Sequence, residues 1–279
     1  MYKILKNEAI SSNSYLLEIE CPIVIKNAIP GQFVIVMGKE DSERIPLTIY
    51  DFEKEKGLLS LIYQVVGAST LELTTLKDKV FAVAGPLGNP NIICKNPEEY
   101  KDKKIVYVAG GVGIVPVYPQ VKYLKSKGFK IDVIYGARTK DLLLIRDKIE
   151  EVAENVYYAT DDGSFGTKGF VTDILKEHIN NYDICVAIGP VIMMKNVSEL
   201  TKIYNIKTIV SMNPIMVDGT GMCGACRCEI DGKPKFACID GPEFDGHKVN
   251  FDLALKRMNI YKDEEKKLME KMIGEVNYE

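Results

Sequence analysis

The chain has 279 residues, 46% hydrophobic and 27% charged, with 36 Lys plus Arg against 39 Asp plus Glu. That length points to about two domains and to a core that needs no covalent staples, and a formal net charge of −3 argues against a nucleic-acid binder working through a broad basic surface. No apolar run reaches the ~18 residues of a membrane span, and the start, Met1-Tyr2-Lys3-Ile4-Leu5-Lys6, lacks the apolar stretch of a secretory leader, so no membrane role and a cytoplasmic location are expected.

Residues 1–100 read as strands at 14–20, 32–37, 46–52, 58–66 and 79–84, with turns at Pro30-Gly31 and Lys56-Gly57 and one helical stretch at 69–76. Short strands at this spacing predict an antiparallel barrel. Two of its segments can hold phosphate. Arg44-Ile45-Pro46-Leu47-Thr48 places a guanidinium able to clamp a pyrophosphate on the same strand face as the Thr48 hydroxyl. Val66-Gly67-Ala68-Ser69-Thr70 precedes the helix and offers backbone N–H groups and hydroxyls. Each is equally compatible with a salt-bridged strand and a capped helix.

Residues 101–211 change period. Strands at 104–109, 130–135, 156–160, 184–189 and 208–212 alternate with helices running to 127 and over 141–151, 169–178 and 191–204, the pattern of a doubly wound parallel sheet. The first strand opens onto Gly110-Gly111-Val112-Gly113 and a helix, an anion-binding arrangement. It is half a dinucleotide fingerprint, with Pro116 where a third glycine belongs. Asp132 has the spacing of a ribose contact but lies inside its strand. Further strand ends carry Arg138, the run Asp161-Asp162-Gly163, and Gly189-Pro190; all face one crevice in such a sheet. Arg138 is suited to an adenosine phosphate or ribose.

Residues 212–250 hold four of the seven cysteines, Cys223, Cys226, Cys228 and Cys238, among glycines. In a reducing compartment this is a metal site before it is a disulfide framework. Spacing alone leaves an iron–sulfur cluster, structural zinc completed by His247, and a redox dithiol open. Cys21, Cys94 and Cys185 read as buried hydrophobes. Residues 251–279 read as charged helix.

A barrel with Arg-x-Pro-Leu-Thr and Val-Gly-x-Ser-Thr, followed by a sheet opening with Gly-Gly-Val-Gly-Ile-Val-Pro, resembles the ferredoxin–NADP reductase superfamily over about residues 1–211. The run Met216-Val217-Asp218-Gly219-Thr220-Gly221-Met222-Cys223-Gly224-Ala225-Cys226, with Phe236-Ala237-Cys238-Ile239-Asp240-Gly241-Pro242-Glu243-Phe244, resembles the small NADH-side subunits of electron-bifurcating NADH-dependent reduced ferredoxin:NADP oxidoreductases. Those are near relatives of the electron-transfer subunit of dihydroorotate dehydrogenase.

The resemblance implies an FAD barrel (1–100), an NAD-binding domain (101–211), a [2Fe–2S] segment (212–250) and a helical extension (251–279). FAD is expected at Arg44, Pro46, Leu47, Thr48, Gly67, Ser69 and Thr70, with Thr48 near the reactive flavin nitrogen. NAD(H) is expected at Gly110, Gly111, Gly113, Arg138, Asp161, Asp162 and Gly163. The implied cluster ligands are Asp218, Cys223, Cys226 and Cys238, with Cys228 the alternative to Asp218. The implied partner is a larger subunit carrying another flavin and [4Fe–4S] clusters, with ferredoxin reached through it. Two other readings stand beside this one: the dihydroorotate dehydrogenase partner, and a colourless zinc-stabilised NAD-binding module.

Overall fold

The computed structural model describes the backbone of residues 1–276 and the side chains of residues 1–270. Seven strands build the first sheet: β1 (Tyr2–Ala9), β2 (Ser14–Glu20), β3 (Phe33–Met37), β4 (Ile45–Glu53), β5 (Leu58–Gln64), β6 (Lys79–Val80) and β7 (Ala82–Leu87). Helix α1 (Pro22–Ile25) lies between β2 and β3, and α2 (Ala68–Thr75) between β5 and β6. The order is β6-β1-β2-β5-β4-β3-β7, antiparallel throughout. The two edge strands are consecutive in the chain, so the sheet rolls into a nearly closed barrel. The expected single strand at 79–84 breaks at Phe81, whose N–H bonds to Met37 and Gly38 carbonyls. Strand β1 has no counterpart among the expected strands because only Ile4 of its residues is buried, which dilutes the alternation.

Alternation sets the two faces of each barrel strand. Val34 and Val36 fill the barrel with Leu17, Ile19, Ile49, Leu59 and Leu61. Phe33 and Ile35, on the other face of β3, join a different core. Each such fully buried side chain contributes about 1.5–3 kcal/mol.

After α3 (Ile92–Lys95) the period changes. β8 (Ile105–Gly110), α4 (Ile114–Ser126), β9 (Ile131–Ala137), α5 (Arg146–Val152), β10 (Asn155–Thr160), β11 (Thr167–Lys168), α6 (Val171–His178), β12 (Ile184–Ile188), α7 (Val191–Ile203) and β13 (Lys207–Ser211) follow. The sheet order β11-β10-β9-β8-β12-β13 is parallel. Ile105, Tyr107 and Ala109 pack toward α4 and α5, and Val106 and Val108 toward α6 and α7. Burial on both faces explains the continuous apolar runs. The order of strand addition reverses between β8 and β12, the switch point where such sheets bind ligands. The helix expected from 141 starts only at Arg146, because the Tyr135 hydroxyl accepts the Leu144 N–H and Ile145 is left-handed (φ 47°).

The cysteine segment is more regular than its glycines suggest. β14 (Arg227–Ile230) and β15 (Lys233–Phe236) form a hairpin. β16 (Glu243–Asp245) adds to β13 as an antiparallel edge of the second sheet. The core on the α6–α7 face continues into Cys226, Cys228, Ala237, Cys238 and Phe251, and into Phe33 and Ile35 of the barrel. Helices α8 (Phe251–Met258) and α9 (Lys262–Val276) end the described chain. Among the described residues no helix is long and apolar enough to cross a membrane.

Candidate functional site

The crevice at the switch point is built by close backbone approach. A Cβ on Gly113 would stand 2.1 Å from the Ile188 carbonyl oxygen, and one on Gly110 would stand 2.5 Å from the Met193 sulfur. Gly113 lets the start of α4 close on β12, and Gly110 lets α7 close on β8. Gly111 differs. It has φ +53°, and nothing lies within 4 Å of where its Cβ would be, so the loop is open on the side where a pyrophosphate would lie. Backbone bonds hold the neighbouring loops together: Asp161 N–H donates to Ala137 O (3.2 Å) and Asp162 N–H to Arg138 O (3.3 Å). The Asp162 carboxylate is occupied, accepting from the Ser164 N–H (3.0 Å) and hydroxyl (2.6 Å), which hold it below the usual carboxylate range. Arg138 and Asp161 remain exposed. Asp132 is spent on Tyr182 and Asn155, each at 2.9 Å, and is not free for a ribose.

In the barrel, Pro46 and Thr48 share one half-exposed face of β4 while Leu47 and Ile49 are buried. Arg44 stands just before that strand. The Thr70 hydroxyl accepts from the Val66 and Gly67 N–H groups, both at 3.1 Å. Those two amides are therefore not available to a phosphate, which leaves the first turn of α2. Ser69 donates to Glu43, tying this turn to the residue before Arg44. Two contacts missed by the sequence reading close the barrel on the second sheet: Tyr50 stacks on Tyr118 at 5.0 Å, and Lys122 pairs with Asp51.

In the cysteine segment, Cys226 and Cys238 sulfurs lie 3.2 Å apart, and the Cys238 N–H approaches the Cys226 sulfur at 3.5 Å. The Ala225 N–H lies 3.5 Å from the Cys223 sulfur and holds that exposed thiol below its usual range. The Asp218 carboxylate accepts from the Thr220 hydroxyl and from the Thr220 N–H (2.9 Å), and both hold it low. Cys228 is separate. Burial pushes it up to about 11, and it lines a cleft of about 150 Å³ with Arg257, Met258 and Tyr261. In iron-free protein Cys223 is expected to be alkylated first and Cys185 and Cys228 last, checked by pulsed iodoacetamide labelling and peptide mapping.

Residues 107–199 match the oxidoreductase NAD-binding domain, and residues 213–250 match the iron–sulfur cluster binding domain of dihydroorotate dehydrogenase B. A Thermotoga maritima protein, the homolog of the dihydroorotate dehydrogenase B (NAD(+)) electron transfer subunit, is 46% identical over 95% of this chain and 93% of its own length. The chain belongs to the family of dihydroorotate dehydrogenase B electron-transfer subunits and their homologues. The solved structure of an NADH-dependent reduced ferredoxin–NADP oxidoreductase, reported for flavin-based electron bifurcation, is 42% identical over 98% of both chains, with a TM-score of 0.89. A ferredoxin–NADP+ reductase from Plasmodium falciparum, 17% identical over 72% of this chain and 88% of its own, shares the fold at a TM-score of 0.57.

This family membership makes the chain an oxidoreductase electron-transfer subunit of the ferredoxin–NADP reductase type, with FAD, NAD(H) and an iron–sulfur cluster as its cofactors. The residues present fit those groups. The open Gly111 turn fits a pyrophosphate. Arg44 leaves its buried Nε without a partner, a donor still to be satisfied. The cysteine segment has the donor chemistry for a cluster, thiols at Cys223, Cys226 and Cys238 and a carboxylate at Asp218, but only Cys226 and Cys238 are in contact, and among the described residues no three such groups converge as they would around a metal ion. The site residue hardest to foresee is Thr220; its signal is the Asp-x-Thr spacing of an Asx turn.

Proposed function

We propose that this chain is the NADH-side subunit of a bifurcating-type ferredoxin:NADP oxidoreductase, working in the cytoplasm as a heterodimer. Its partner is a larger subunit with another flavin and [4Fe–4S] clusters, and ferredoxin is served through that partner. The observation that carries this reading is the likeness to the NADH-dependent reduced ferredoxin–NADP oxidoreductase over 98% of both chains. We assign residues 1–100 to FAD, 101–211 to NAD(H), 212–250 to a [2Fe–2S] cluster and 251–279 to a helical extension.

When bound, the flavin and cluster supply the exchange between two-electron hydride chemistry and single-electron transfer. The protein's part is to hold and tune. Gly110, Gly111 and Gly113 admit the dinucleotide pyrophosphate at the start of α4, with Arg138, Asp161, Asp162 and Gly163 at its adenosine end. Arg44 and the first turn of α2 at Ser69 would receive the flavin phosphates, with the Thr70 hydroxyl holding the turn at Gly67 in shape. Pro46, Leu47 and Thr48 would support the flavin ring, with the Thr48 hydroxyl available to hydrogen-bond to it. Asp218, Cys223, Cys226 and Cys238 ligate the cluster. A carboxylate is a harder donor than a thiolate, so Asp218 shifts the cluster's potential from that of an all-cysteine site.

Visible absorption and iron content of anaerobically purified protein test this. The expected result is a flavin spectrum with added red-brown absorption and about two irons per chain. Asp218→Ala is expected to lose iron and Cys228→Ala to keep it. The reverse pattern moves the ligand set to four cysteines, and a colourless zinc protein overturns the reading.

A further inference from the structure

Arg44 precedes β4 and belongs to the barrel, yet its guanidinium reaches the cysteine segment. Nη2 donates to the Asp218 carbonyl oxygen at 3.1 Å and lies 3.9 Å from the Asp218 carboxylate. The residues are far apart in sequence, so this bond exists only because the fold seats one segment on the other. The seat is close. A Cβ on Gly219, next to Asp218, would stand 2.7 Å from Ile35 of β3 and 3.2 Å from Leu87 of β7. The chain neighbour of Arg44, Glu43, accepts from Ser69 in the first turn of α2. The Arg44 guanidinium thus ties the start of β4, whose neighbour Glu43 meets the turn read as a flavin site, to the residue read as a cluster ligand. Its Nε is buried and unpartnered, so one more acceptor is due on that edge.

We propose that Arg44 is a positioning residue that couples the two redox sites: it clamps the Asp218 turn to the flavin barrel, and its fixed charge raises the reduction potential of the cluster. The inference rests on the reading of Asp218 as a ligand. The sign follows from charge. Reduction adds one negative charge to the cluster, and a cation beside a ligand oxygen stabilises the state that carries it. Part-burial keeps solvent from screening the effect fully. Arg is suited to the task because its planar fork can serve two acceptors at once while always charged.

The test is a dye-mediated redox titration of the flavin- and iron-loaded protein, read by low-temperature electron paramagnetic resonance of the reduced cluster. Arg44→Gln is expected to lower the cluster's reduction equilibrium at least tenfold, about 59 mV for one electron. Arg44→Lys, which restores charge without the fork, is expected to fall between that variant and the wild type. Should Arg44→Gln lose its iron, Arg44→Lys decides alone: an intermediate potential supports the proposal and an unaltered one overturns it. Loss of flavin with an unchanged cluster potential also overturns it, because Arg44 then serves the flavin only. Equal shifts in both variants do the same, because charge is then not the cause. A wild-type protein without iron or flavin is a different failure, that of the functional reading.

Discussion

Gly113→Ala is expected to destabilise the protein by about 3 kcal/mol, the upper end for overpacking, since the obstruction is backbone. The added Cβ would stand 2.1 Å from the Ile188 carbonyl oxygen, 2.7 Å from its carbon and 2.9 Å from the Gly189 Cα. No flexible side chain is there to move aside. Either α4 lifts off β12 or β12 shifts against β8, and both open the crevice where NAD(H) is proposed to bind. Nucleotide affinity should therefore fall together with stability. Gly111→Ala is the control for stability only, because its Cβ would enter the space proposed for the pyrophosphate. Its Cβ would meet nothing within 4 Å, and it bears only the left-handed backbone cost of about 1–2 kcal/mol. Thermal unfolding of the loaded proteins checks both variants, and NADH titration checks Gly113→Ala. A Gly113→Ala protein that melts with the wild type and binds NADH equally well would show that α4 is not seated on β12.

This pair of glycines also shows where the sequence stops being readable. Gly111-x-Gly113 is visible as half a fingerprint, and strand, glycine turn and helix are legible from period and composition. The separate duties of the two glycines are not, because Gly113 is constrained by Ile188, a carbonyl on a strand far along the chain. The doubly wound order is legible for a related reason: strands buried on both faces read as unbroken apolar runs. β1 is not, since one buried residue leaves no pattern. In the cysteine segment, spacing marks a metal site but does not show how the surroundings of Cys226 and Cys228 differ. The hairpin β14–β15 and α8 do that, placing Cys228 against Arg257 and Met258 while Cys226 meets Cys238. The Thr70 hydroxyl looks like a phosphate ligand in sequence, yet in the fold it caps the amides of its own turn. Side-chain hydroxyls near a turn choose between ligand and backbone, and only geometry shows which.

Glu243, a lone acid in Gly-Pro-Glu-Phe, is expected to make stability fall as pH rises from about 4.5 to about 7. It sits on β16 and accepts from Asn91, after the barrel, at 2.8 Å and from Gln120, on α4, at 2.9 Å. Burial raises its carboxyl from 4.5 to about 7, and the two amide donors offset only part of that. In the unfolded chain the group loses its proton near 4.5, while the folded protein keeps it until about 7. Between those values the unfolded state binds fewer protons, so each rise in pH favours unfolding. The full loss, complete above pH 7, is about 3 kcal/mol, at ~1.4 kcal/mol for each tenfold difference in proton affinity between the folded and unfolded chain. Its buried neighbours Tyr107 and Cys94 are pushed up by the same burial and stay neutral throughout. Glu243→Gln keeps the shape and removes the charge, so its stability advantage over the wild type should be near zero at about pH 4 and should approach 3 kcal/mol at about pH 8. Denaturant unfolding of both proteins at the two pH values measures the difference. A gap that does not change with pH would mean that Glu243 is ionised in the fold. A growing gap would mean that the joint between barrel, nucleotide sheet and cluster segment is held by an uncharged acid, and that raising the pH loosens it.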